Sequence, residues 1–286
     1  MSTVPYPPQR QLSVGEVLDL TFRIYRATFV KCLAFATCGV IAGQLAGIYA
    51  LIKGRSLPQA PGAAGMAGMA GMLGAMQDGV IDTLYILSVV LTVIFYAAVT
   101  LRQYAIITDA EVGGELSAAL RRLPALIGLL LLVGLAFVAC VVPALVTGGA
   151  LRLLLVVAAV VLLSYGVVAV SCAQTILLVE GAGPAASLAR SWRLTTGNFW
   201  RLSLIYTVAL IILIALYLVT ASVAGFLAGV LGRGDVAMVT AFFEVIAIIL
   251  GALATPFYGA LLLAVLADLK VRKEGADLAQ RISATA

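Results

Sequence analysis

The chain has 286 residues, of which 63% are hydrophobic and only 11% charged, and its mean hydropathy is +1.14. That balance excludes a soluble domain and a disordered chain, and it predicts an all-α, polytopic membrane helical bundle. The net charge of +5 needs no nucleic acid to explain it, because the basic residues fall where an anionic inner leaflet would attract them, so no DNA or RNA partner is expected.

Residues 1–12 are proline-rich, contain VPYPPQ and lack periodicity, which reads as a flexible tail. Ser13 followed three positions later by Glu16 predicts a capping box, each side chain satisfying a backbone N–H that the first helical turn leaves open. From there an interfacial amphipathic helix is expected near 13–30. At 100° per residue Val14, Val17, Leu18, Phe22, Tyr25 and Phe29 share one face, with Glu16, Asp19, Arg23 and Arg26 on the other.

Six apolar stretches then reach the roughly 20 residues needed to cross a hydrocarbon core: 32–52, 83–107, 126–146, 153–179, 202–224 and 245–267. Gln44 falls near the middle of the first, where an amide needs a partner on another helix. A loop, APGAAGMAGMAGMLGAMQDG, follows. Its Met66, Met69, Met72 and Met76 are soft thioethers that could hold Cu(I), but the reading preferred is a flexible or weakly membrane-touching loop grown by repeat slippage, with no metal and no cofactor. Beyond the second span, Leu116, Leu120 and Leu123 recur beside Arg121 and Arg122, suggesting a third, shorter interfacial helix near 116–123. Spans three and four form a tight hairpin through Thr147, Gly148 and Gly149.

The stretch 183–202, GPAASLARSWRLTTGNFWRL, restates the start of the chain at an offset of 170 residues. Leu18 matches Leu188, Phe22 matches Trp192, Arg23 matches Arg193, Phe29 matches Phe199 and Lys31 matches Arg201. A second interfacial helix is therefore expected near 184–197, with Pro184 in its first turn and Gly197 and Asn198 ending it. Trp200 and Arg201 follow at a depth where both side chains anchor well, and Phe22, Trp192 and Phe199 join them as interfacial anchors. The membrane domain spans 13–268, and a charged tail, 269–286, closes the sequence.

Fourteen of the eighteen basic residues fall on one side of this topology, so both termini are expected to be cytoplasmic. No cleaved signal peptide is expected, since about thirty mostly polar residues precede the first span and no short apolar core with a small-residue cleavage site is present. The cysteines, Cys32, Cys38, Cys140 and Cys172, lie within spans without C-x-x-C spacing and read as buried small hydrophobes.

LSVGEVLDLTFRIYR near the start and VEGAGPAASLARSWRLTTGNF before the fifth span resemble the membrane domain attached to some glycerophosphoryl diester phosphodiesterases, and stand-alone, YciC-like bacterial inner-membrane proteins. The resemblance implies a six-helix module in a bacterial inner (plasma) membrane. In those phosphodiesterases the activity belongs to a separate soluble barrel with paired histidines and metal-binding carboxylates. This chain has no histidine, so the hydrolase activity is not carried over.

The remaining acid, base and metal-ligand inventory is thin, and no enzymatic activity is expected. Glu244 and Asp82 each fall about one turn outside the hydrocarbon core, where interfacial solvation competes with a proton- or cation-coupling role. Pro256 predicts a kink in the sixth span. Arg23, Arg26, Arg190, Arg193 and Arg201 are candidates for clamping lipid phosphates, against the plainer reading that they only set topology. The leading expectation is a non-enzymatic protein that binds or organises membrane lipids, anionic ones foremost. The alternatives are a small repeat-built transporter or channel, with Gln44 and Glu244 lining a path, and a membrane accessory subunit of a partner protein.

Overall fold

The computed structural model describes residues 6–52, 79–231 and 236–285. They are helical almost throughout: α1 (Val14–Gly43), α2 (Leu45–Ile52), α3 (Gly79–Ile107), α4 (Glu115–Val146), α5 (Gly149–Val170), α6 (Ala173–Glu180), α7 (Pro184–Thr195), α8 (Phe199–Leu231) and α9 (Val236–Thr285). Six segments are long and apolar enough to cross a membrane, as expected, and the architecture is an all-α bundle. The large apolar residues of α4, α5 and α8 mostly face outward, as Leu131, Leu135, Leu153, Val161, Val219 and Phe226 do. A bilayer is the solvent that makes such a surface stable.

The centre is a three-helix core in which α1 packs most extensively against α9 and then α3. Small residues permit the close approach. A Cβ on Gly39 would meet Phe95 at 2.8 Å, and one on Gly251 would meet Val40 at 2.8 Å. Gly39 and Gly43 stand four apart, the spacing that lets membrane helices touch backbone to backbone. Gln103 of α3 is fully buried here, donating from Nε2 to the Pro256 carbonyl of α9 at 2.7 Å and to Thr28 Oγ1 of α1 at 3.2 Å.

Several boundaries differ from expectation. The capping box forms, with Ser13 accepting from the Glu16 N–H and the Glu16 carboxylate accepting from the Ser13 N–H. The helix it starts, however, continues without interruption to Gly43, so 13–30 is the first half of a long helix and Gln44 marks the break before α2. No glycine or proline falls between Gly15 and Gly39 to stop it, and one buried stripe, Val17, Leu20, Thr21, Ile24, Thr28, Cys32, Ala36, Gly39 and Ala42, runs its whole length. That stripe differs from the expected apolar face: Phe22 is 44% exposed, resting one edge on Phe257 with ring centroids 5.5 Å apart.

The short helix expected at 116–123 is likewise the opening of α4, which passes through Pro124 and Pro143. Conversely, the fourth expected span is divided at Ser171–Cys172 into α5 and α6. The expected tail is helical too, since α9 continues to Thr285. Cys32 and Cys172 are buried as anticipated, whereas Cys38 is exposed and Cys140 half-buried, small apolar residues facing outward from a bundle whose exterior is itself apolar.

Candidate functional site

At one end of the bundle the start of α1, the α6–α7 hairpin, the start of α8 and the second half of α9 gather most of the charged side chains described. The central group is Asp268, 1% exposed. Its carboxylate accepts from Arg201 at 2.6 Å, from Arg272 at 3.0 Å and from the Leu12 N–H at 2.8 Å. Both guanidiniums also donate to the Leu12 carbonyl, Arg201 at 2.7 Å. Both hydrogen-bonding groups of one tail residue are thus read by a single carboxylate and two arginines. A buried carboxylate is tolerable only with that degree of satisfaction.

A second knot surrounds Glu180 at the end of α6, which stands 2.9 Å from Arg190 and 2.6 Å from Lys270. Arg190 also reaches Glu274 at 2.7 Å. At the α3–α4 turn Arg102 lies 3.8 Å from the buried Glu115 and its guanidinium covers the Phe35 ring at 5.0 Å.

Helix α7 docks by an unusual face. Its buried residues are Ser187, Ser191, Leu194 and Thr195, while Trp192 and Arg193 point outward. Ser191 and Thr195 donate to the Ala169 carbonyl at 2.7 and 3.3 Å, beside the Ser171–Cys172 break, and Tyr206 donates to Ser171 Oγ at 2.8 Å. Hydroxyls from neighbouring helices thereby complete the interrupted α5–α6 segment, which is how a helix break survives away from water. On the outer side Tyr165 packs against Trp192 (5.4 Å) and Phe199 (5.1 Å), and Phe199 against Trp200 (5.4 Å), forming an aromatic patch in which Trp200 is 84% exposed.

The five arginines singled out from sequence divide into two groups. Arg190 and Arg201 are neutralised inside the protein by Glu180, Glu274 and Asp268. Arg23, Arg26 and Arg193 are exposed, and among the described residues none of them has a carboxylate partner. Gln44 is half-buried at the α1–α2 break. The side chains of Glu244 and Asp82, and the loop carrying Met66, Met69, Met72 and Met76, lie outside the described residues.

Asp268, Glu180 and Gln103 are functional-site and core residues that the sequence patterns above do not single out. The signal for Asp268 was available: a lone acid at the end of the apolar run LLLAVLAD with Arg272 four residues on, one helical turn away. Gln103, beside Arg102 at the end of the second span, looked like boundary polarity, and only the packing of α3 on α9 places it in the core. Comparison with protein-family models, curated proteins and solved structures returns no match to this chain.

Proposed function

We propose that this is a non-enzymatic, multi-pass protein of a bacterial inner membrane, with both termini cytoplasmic, that binds anionic lipid headgroups through Arg23, Arg26 and Arg193. One observation carries this reading. At an end where Arg190, Arg201 and Arg272 are all consumed by internal carboxylates, the repeat-related pair Arg23 and Arg193 remains exposed with no carboxylate partner among the described residues. An exposed guanidinium suits a phosphate at the bilayer surface. The sequence resemblance to inner-membrane modules agrees with this placement.

The test is to purify the chain and the Arg23→Ala/Arg193→Ala double variant and to quantify co-purifying phosphatidylglycerol. Each basic side chain near an anionic surface contributes about 1 kcal/mol, so the loss of two predicts roughly thirtyfold less anionic lipid for the double variant. Unchanged lipid content sinks the proposal.

A second reading, a small transporter, draws on one feature, the interrupted α5–α6 segment lined by Ser171, Cys172 and Tyr206. Against it stands the run 260–267 of α9, apolar and fully buried at the bundle centre. Solute flux in proteoliposomes that depends on Tyr206 would favour the transporter over the lipid-binding protein.

A further inference from the structure

The tail does more than tie α1 to α9. Held at Leu12 by Asp268, Arg201 and Arg272, residues 8–12 run beside the first turns of α1 and enclose a cleft of about 630 Å³. Arg10 and Leu12 form its outer wall; Glu16, Asp19, Leu20 and Arg23 form the inner one. These inner residues are spaced three, four and seven apart, one stripe of one helix face.

The charges on that stripe are unequally committed. Glu16 is occupied twice, by the Ser13 N–H and by Arg10. Asp19 and Arg23, one helical turn apart with Cβ atoms about 5–6 Å from each other, are both exposed, and among the described residues they are paired neither with each other nor with any other charged group. The cleft thus presents an unengaged carboxylate and an unengaged guanidinium at a fixed separation, above the buried apolar side chain of Leu20.

From this geometry we infer a headgroup site for a zwitterionic aminophospholipid, with the phosphate on Arg23 and the ammonium on Asp19. The inference rests on the lipid-binding reading and sharpens it by adding a second class of headgroup. Anionic lipid needs only the arginines, whereas a primary ammonium needs the acid as well. A quaternary choline has no N–H to donate to Asp19 and its charge cannot approach as closely, so phosphatidylcholine is discriminated against.

The experiment uses the full chain reconstituted in vesicles of equimolar phosphatidylethanolamine, phosphatidylcholine and phosphatidylglycerol, re-extracted, with retained lipid measured by mass spectrometry. The wild type is expected to retain phosphatidylethanolamine over phosphatidylcholine by about threefold, the size of one exposed charge interaction. Asp19→Asn should bring that ratio to one and leave phosphatidylglycerol unchanged, while Arg23→Ala should lower retention of both zwitterionic lipids. Both positions are exposed, and a gel-filtration profile matching wild type confirms that each variant folds. A wild-type ratio of one, or a ratio that Asp19→Asn leaves unmoved, overturns the site even if phosphatidylglycerol still depends on Arg23 and Arg193. Retention of soluble phosphoethanolamine with no preference among the vesicle lipids overturns the assignment to a lipid.

Discussion

The two copies of the repeated signature have different fates in the same molecule. Their entry segments bury equivalent positions: Val17 and Ser187, Thr21 and Ser191, Ile24 and Leu194, then Cys32 and Leu202, and Gly39 and Ala209. Yet the first copy is one continuous helix in the middle of the core, and the second is two helices, α7 and α8. Position 27 accounts for the break. Ala27 continues α1, whereas its counterpart Gly197 adopts φ +85° and turns the chain between α7 and α8. A repeat can therefore specify which face of a segment is buried while one residue decides whether the segment bends.

Lys31 and Arg201 are matched in sequence but not in surroundings. Arg201→Ala leaves Asp268 and the Leu12 carbonyl with Arg272 as their one guanidinium and should lower stability by about 3 kcal/mol, the cost of disrupting a buried ion pair. Lys31→Ala, at an exposed position, should change it by less than about 0.5 kcal/mol. Thermal unfolding in detergent compares the two, and equal effects would remove the distinction drawn between the copies.

Exchanging the hinge residues comes next. Gly197→Ala forces a Cβ into left-handed backbone at a cost of about 1–2 kcal/mol. Ala27→Gly costs about 1 kcal/mol through helix propensity and should increase proteolysis within α1. If Ala27→Gly proves silent, continuity of the first copy matters less than the packing suggests.

A smaller contrast concerns the paired hydroxyls. Ser191 bonds across helices to the Ala169 carbonyl, whereas Thr21 bonds to Val17 of its own helix at 2.8 Å. Ser191→Ala should cost about 1 kcal/mol and loosen α7, while the near-isosteric Thr21→Val should be close to neutral. Smallest of all is a pH effect at the tail. Burial holds the Tyr6 phenol above its usual range. Its contribution is complete below the unfolded value and is lost as pH rises toward the folded one, so the tail should release only in strong alkali, as tail-directed proteolysis would report.

Helical content, the crossings and the repeat were legible because hydropathy and period carry them, and the capping box was legible because its chemistry is local. The internal ion pairs were not. Arg190, Arg193 and Arg201 sit within twelve residues and look alike in sequence. Only tertiary packing brings Glu180 and Asp268 to two of them and leaves Arg193 in the open. Likewise the polar buried face of α7 defeats an amphipathicity argument, because its Ser and Thr side chains serve an interrupted neighbour rather than water.

The principal partner of α1 is α9, and Leu12, two residues ahead of α1, is gripped by Asp268. During synthesis the opening segment can pack on α3 first, with Gln103 reaching Thr28, but its principal contact, with α9, must wait until more than two hundred further residues have emerged. A premature stop anywhere before α9 removes the lid from the core rather than a peripheral piece. Truncated products should consequently be the form that membrane quality-control proteases clear first.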